Sequence, residues 1–427
     1  MKVKNILLIV IAILTCIASS QAQNVNIPNA IFKEVLLGDT SINTNGDAHI
    51  QVSEASVFNG AINVSGLGIT NLSGIEAFVL LDSLDCSFNA IDTLNLSANT
   101  ALRYLDCSNN TYYYFCGNND LTGLDVEWHY DDQSQNFENG SDPSDPNYGL
   151  TCFVHTTPVF NFLNNEALTY LDCSNNNLIS LNVSACTSLN YLNCNNNRLS
   201  SINLSDNTEL TYLHCAVNYL TSLNVSACTD LTVLWCPYNQ LPSLNVSGLT
   251  ALFDLDCSYN VLTSLNLLAC TSLTYLDCYL NFLPSLNVST NTALSYLNCY
   301  YNLLGSLDLT SNTALTFLNC NVNQLTSLNV SANTALTVFG CAYNQLTSLN
   351  VSANTALTIL HCYNNLLTSV NVSANTALTV LLCHNNLLTS LNVSACTALS
   401  NLWCYNNLLT CLNVKNGTNL NHGYLFA

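Results

Sequence analysis

From about position 81 to position 414 the chain repeats one arrangement of apolar and polar residues every 21 positions. Residues 168–178 read Leu-Thr-Tyr-Leu-Asp-Cys-Ser-Asn-Asn-Asn-Leu, and the next ten read Ile-Ser-Leu-Asn-Val-Ser-Ala-Cys-Thr-Ser. Leu171 and Cys173 are two apart, so in a strand they share one face and point inward, while Tyr170, Asp172 and Ser174 point out. Leu181 and Val183 repeat the alternation half a period later, which predicts a short strand on the opposite side. A fixed period in the twenties with Leu at constant offsets is how a stacked solenoid is written. One coil cannot bury its own apolar face, so stability comes from its neighbours.

Two further columns keep the same register. Cysteines run from Cys152 through Cys173 and Cys194 in steps of 21 to Cys404, with Cys86 and Cys107 as earlier members. Three positions after each stands an Asn, from Asn89 to Asn407; only Cys152 departs, with His155 there. An amide both donates and accepts, so a stacked file of Asn can satisfy the backbone of the turns it lies between.

The unit L-x-x-L-x-C-x-x-N-x-L resembles the leucine-rich repeat consensus, with Cys where that consensus often has Leu. The 21-residue register and the phrase Leu-Thr-Ser-Leu-Asn-Val-Ser are similar to those of secreted bacterial internalin-like repeat proteins. The resemblance implies a β-rich repeat solenoid: a leucine-rich repeat rod with a parallel sheet on the concave side. With it come short strands opposite and a small helical N-terminal cap. It also implies a protein partner, met in adhesion or another cell-surface contact.

Domain limits follow from where the period starts and stops. Residues 1–22 carry Lys2 and Lys4, an apolar run over 6–18 and a small-x-small end at Ser20-Gln21-Ala22. This reads as a secretory signal peptide, cleaved before Gln23. Residues 23–78 read as the cap, with helices expected over 29–37 and 53–58. Residues 79–427 form the solenoid, interrupted by an acidic insertion near 127–148 that carries Asp131, Asp132, Glu138, Asp142 and Asp145. Within the cap, Asn43, Asn45, Asp47, His49 and Glu54 follow the spacing of an EF-hand calcium loop. Asn replaces Asp at the first position, and Ala48 stands where the sharp turn wants Gly. A structural calcium ion is one reading; a vestigial loop held by side-chain turns is the other.

Charge narrows the function classes. Only 7% of residues are charged, and removal of the signal leaves four Lys and Arg against 26 Asp and Glu. Nucleic-acid binding needs cations to displace phosphate counterions, so it is excluded as a partner class. No stretch after the signal reaches transmembrane length. Nineteen of the 26 acids lie at or before Asp172, and none follows Asp308. The mature chain carries 21 Cys, an odd number. Neighbouring ladder thiols would sit about 4.8 Å apart, too far for a disulfide. They read as small buried hydrophobes, as does a second column at Cys186, Cys228, Cys270 and Cys396. Cys116 and Cys411 stand off both ladders and are the expected reactive thiols.

The outward strand positions are where chemistry can vary. Aromatic residues fill them: Tyr170, Tyr191, Tyr212, Trp235, Tyr275, Tyr296, Phe317 and Trp403 on the strands. Tyr238, Tyr259, Tyr279, Tyr300, Tyr343, Tyr363 and Tyr405 follow the ladder cysteine. The opposite strand is a monotonous Ser-x-Asn-x-Ser. A low-charge face rich in Tyr and Trp is how ligand surfaces are built. An enzyme needs titratable groups gathered in a cleft. The best such set, Asp254, Asp256 and Asp277, is expected on an open sheet with nothing to raise an acid's pKa, so no catalysis is expected. His361 and His384 occupy different columns and read as solvent-facing. The sequence therefore indicates an exported, non-enzymatic protein, secreted or at the cell surface, that needs no cofactor beyond the calcium considered above. It would bind a protein, or alternatively a glycan, through its aromatic concave face.

Overall fold

The computed structural model describes residues 23–110 and 158–415 and the backbone of Leu425–Phe426. The signal sequence, Cys116, Cys152 and the acidic stretch at 127–148 lie outside the described residues.

Sixteen described strands form one parallel sheet, from Ala61–Asn63 through Ser83–Asp85, Tyr104–Asp106 and Tyr170–Asp172 to Asn401–Trp403 and Leu425–Phe426. Neighbours pair in strict register, so equivalent residues stack: Tyr170 on Tyr191, Leu171 on Leu192, Asp172 on Asn193. The inward positions make the core. In one coil Leu315, Leu318, Cys320, Leu325 and Val330 are fully buried. Each such Leu is stabilised by about 1.5–3 kcal/mol relative to an exposed position. The described ladder cysteines are free and buried, as are Cys186, Cys228, Cys270 and Cys396. Desolvation pushes the Cys215, Cys299 and Cys362 thiols up to about 12. These thiols behave as packing groups, not nucleophiles.

The two corners of a coil are held differently. After each strand the chain turns through a left-handed residue, such as Asn196, Val217 or Tyr238, with φ of 52 to 54°. The next residue is the column Asn. Asn218 Nδ2 donates to the carbonyls of Cys194, Cys215 and Ala216 at 3.0–3.2 Å, and its Oδ1 accepts from Leu199 N at 3.0 Å. One amide thus closes its own turn and ties it to the preceding coil. On the far corner a second Asn column does less. Asn333 Nδ2 donates to Leu309 and Asn312 carbonyls at 3.0 and 2.8 Å, but its buried Oδ1 has no partner. The second cysteine column replaces this Asn. Cys270 Sγ donates to Val246 O at 3.4 Å, the carbonyl an Asn there would take. The swap keeps one donor and removes an orphaned acceptor.

The opposite side is strand only in places. Thr93–Asn95 pairs Val159–Asn161, Leu244–Asn245 pairs Leu265–Asn266, and Ser390–Asn392 pairs Cys411–Asn413. Elsewhere neighbouring coils meet on this side at single bridges, such as Asn224 with Asn245 and Asn350 with Asn371. Along the whole side the Asn oxygen accepts from the amide two residues on, as from Ser226 N and Ser331 N at Asn224 and Asn329, and the paired strands keep this turn, with Ser247 N on Asn245 Oδ1.

The register corrects the sequence reading at the interruption. Tyr104–Asp106 pairs directly with Tyr170–Asp172, and Asn110 N donates to Asn176 Oδ1, 66 positions on. The coil of Cys107 therefore stacks directly on that of Cys173. The cap has a helix at Ala30–Gly38, where Asn29 Oδ1 accepts from Phe32 N at 3.0 Å and Phe32 and Leu36 are buried. A shorter helix follows at Val52–Ala55, not 53–58. Their apolar residues join one core continuous with the coils. No helix among the described residues is long and apolar enough to cross a membrane.

Candidate functional site

The sheet face is organised by stacking. Strict register puts like residues one coil apart, and flat rings use that spacing. Tyr104, Tyr170, Tyr191 and Tyr212 stack with centroids 4.2–4.4 Å apart and planes within 13°. Tyr275, Tyr296 and Phe317 form a second stack at 4.2 and 4.3 Å. Between them the column holds Val233 and Asp254, and Trp235 turns into the gap. Its ring meets Tyr212 and His214 edge to face, and its Nε1 donates to Asp254 Oδ1 at 3.0 Å.

Along this face, two residues beyond each stacked ring, runs the column Asp85, Asp106, Asp172, Asn193, His214, Trp235, Asp256, Asp277 and Asn298. Asp256 and Asp277 are register partners. Asp277 is buried, at 6% exposure, which corrects the expectation of an open acid. Asn298 Nδ2 and Tyr279 N donate to it at 3.3 and 3.4 Å. Desolvation first, then the Asp256 charge, raises it to about 7. Burial also raises Asp254, Asp256 and Asp106; for Asp106 the charges of Asp172 and Asp85 add to it. Ser258 N and Oγ donate to Asp256 Oδ1 at 3.0 and 2.6 Å without offsetting that burial. Ser174, expected to face outward, is buried, with its amide on Asp172 Oδ1 at 3.0 Å. Burial lowers His214, so it stays neutral. The four described Lys and Arg (Lys33, Arg103, Arg198 and Lys415) all stand outside these columns. Arg103 pairs with Asp82 at 3.7 Å.

The aromatic residues after the ladder cysteine do not join these stacks. Tyr238, Tyr259, Tyr301 and Tyr343 occupy the left-handed corner and are exposed. Tyr238 stacks on Tyr259 at 4.0 Å, and Tyr279 and Tyr300 continue the edge. Near the far end Tyr363, His384 and Tyr405 stack at 4.5 Å, with Tyr343 and Trp403 against their flanks. His384 is buried at 5% exposure with Nδ1 unpartnered, contrary to the solvent-facing reading. Its ring neighbours cover it, and burial keeps it neutral. Sequence reasoning thus found the aromatic columns but not their division into four groups. The break in the tyrosine file at Val233 and Asp254 was the available signal.

Chemically this face offers ring faces, uncompensated carboxylates and amides on an open surface. A shallow depression at Phe160, Phe162 and Asn182 lies on the opposite side, away from all of them. In the cap loop, Asn43, Asn45, Asp47 and Glu54 do come together. Glu54 accepts from Thr44 N, Thr44 Oγ1, Asn45 N and Gln51 N at 2.8–3.2 Å. Asp47 accepts from His49 N, and the Gln51 amino group sits on both its oxygens at 3.2 and 3.0 Å. Asn43 Oδ1, buried and without a partner, is the one oxygen a cation could claim outright. The donor set suits calcium by kind, but the loop's own N–H groups hold the carboxylates as the turn stands.

Solved structures resemble this fold closely. The functional domain of InlJ from Listeria monocytogenes, described as including a cysteine ladder, matches with TM-score 0.70 and 29% identity, over 93% of this chain and 74% of that one. The internalin InlF from Listeria monocytogenes matches with TM-score 0.62 and 19% identity, over 84% and 97%. A leucine-rich repeat protein of Leptospira interrogans matches with 0.61 and 18%, over 86% and 93%. At such identities the last two show the fold alone. No protein-family model matches the sequence, and no curated protein matches it.

Proposed function

We propose, on the premise that the chain is an internalin-like leucine-rich repeat protein, that it is an exported, non-enzymatic binding protein. Its long-sheet (concave) face recognises a protein partner in adhesion or a related cell-surface contact. The observation that carries this reading is the contrast between faces. Stacked tyrosines, Trp235 and unpaired carboxylates change from coil to coil on one face, while the other repeats Ser-x-Asn-x-Ser with its donors spent on its own turns. Aromatic anchors among few charges are what interface centres are made of. Residues 23–427 and a variant with Tyr170, Tyr191, Tyr212 and Trp235 changed to Ala are to be compared against purified cell-surface proteins and a glycan array. Saturable protein binding that the variant loses supports the reading. Binding that the variant retains, or substrate turnover, overturns it. Export is checked separately, by an N-terminus at Gln23 on protein recovered outside the cell.

One feature favours glycan binding as a second reading. Trp235, held by Asp254 beside Asp256 and Asp277, offers a ring and several acceptors in a gap of the stack, which suits a sugar. Glycan binding lost on Trp235→Ala alone would favour it.

A further inference from the structure

The sheet face has acids but no cation of its own. Asp85, Asp106 and Asp172 follow one another on paired strands. Tyr104 and Tyr170 lie on the same strands two residues away, about 7 Å along the chain. The arrangement recurs farther along, where Asp254, Asp256 and Asp277 lie among Trp235, Tyr275 and Tyr296. Asp172 and Asp256 are four coils apart, about 19 Å, which an extended chain of about six residues spans. A carboxylate beside a tyrosine stack fits one chemistry best. A Lys or Arg stem lies along the edges of the stacked rings, and its charge meets the phenol oxygens and the acid. Among the described residues only neutral donors reach these acids, such as Asn193 Nδ2 on Asp172 and Ser258 on Asp256, and burial holds Asp106, Asp256 and Asp277 above their ordinary values.

We infer that the partner presents a basic, extended polypeptide segment to this face. Its Lys or Arg side chains lie along the tyrosine stacks and pair with the Asp106–Asp172 and Asp254–Asp256 sets. The inference rests on the reading of this face as a protein-binding surface and names the chemistry of what it binds. Charge complementarity selects this occupant over a neutral or acidic one.

The test uses a fluorescent nona-arginine peptide, with nona-glutamate as control, at about 0.15 M salt where long-range attraction is screened. The full chain should bind nona-arginine and not nona-glutamate. Asp106→Asn with Asp172→Asn should weaken binding about tenfold, and Tyr170→Ala several-fold at unchanged charge. Asp206→Asn with Asp230→Asn removes the same charge from exposed positions off this face and should change affinity less than twofold. Equal losses in the two double variants would mean that net charge alone attracts the peptide, and would overturn the inference. So would no binding. Thermal melts confirm that each variant folds. A neutral or acidic partner whose binding is lost on Tyr170→Ala with Tyr191→Ala would also overturn it, while leaving the protein-binding reading intact.

Discussion

The two faces of the rod share one register and one backbone, yet they use their polar groups in opposite ways. On the Ser-x-Asn-x-Ser side, Asn224 and Asn329 accept from the amide two residues on, so the face satisfies itself. On the sheet face, rings stack on rings and acids stack on acids, and Asp277 is left buried beside Asp256 with weak donors. A solenoid needs only inward Leu and Cys and the corner Asn to stand. Outward strand positions are free, and residues that raise the free energy of the isolated chain collect there. The same contrast holds between the corner Asn columns: one satisfies every group it meets, the other leaves a buried carbonyl without a partner.

The comparison can be broken most sharply at those corners. Asn218→Ala should cost about 3 kcal/mol or more, because three buried carbonyls and the Leu199 amide lose their partner together. Asn333→Cys should cost under about 1 kcal/mol, because Cys already fills that column elsewhere and the orphaned Oδ1 disappears. Urea unfolding of both variants reads the difference.

A smaller effect is expected from pH. Asp277 titrates at about 7 in the fold, against about 4 when unfolded. The folded chain thus holds a proton that the unfolded chain releases. This group's contribution to stability is full below about pH 4 and is lost as pH rises through 7. Stability at pH 5 should exceed that at pH 8 by on the order of 1 kcal/mol from this group, and Asp277→Asn should remove that part of the difference. Melts at the two pH values check it. Thiol titration sharpens the packing side. Cys411, the exposed thiol among the described residues, should react at once, while the ladder thiols stay silent until denaturant is added. The smallest effect belongs to the cap. With its carboxylates already filled by N–H donors, the 43–54 loop should give a melting temperature that millimolar calcium moves by less than about 1 °C.

What the sequence could show was whatever repeats. The inward Leu and Cys, the Asn file and the tyrosine columns are fixed by period alone; the structure places Leu171 and Tyr170 on paired strands as the alternation requires, buries the Cys beyond them and sets the Asn in the turn that follows. What it could not show depends on neighbours one coil away. Asp277 and His384 read as surface residues because their own strands alternate. They are buried by rings and amides from adjacent coils. The succession of coils after Cys107 depends on neighbours in the same way: a 21-residue count does not show which coil stacks on which, and the pairing of Asp106 with Asp172 does.

The central claim is that the sheet face binds and the opposite face only supports. The direct measurement is affinity for any ligand that the full chain binds saturably, on two four-site variants. One changes Tyr170, Tyr191, Tyr212 and Trp235 to Ala; the other changes Ser222, Ser243, Ser264 and Ser285 to Ala. The account predicts that the first loses binding and the second keeps it, with both still folded. Binding kept by the first and lost by the second would contradict it.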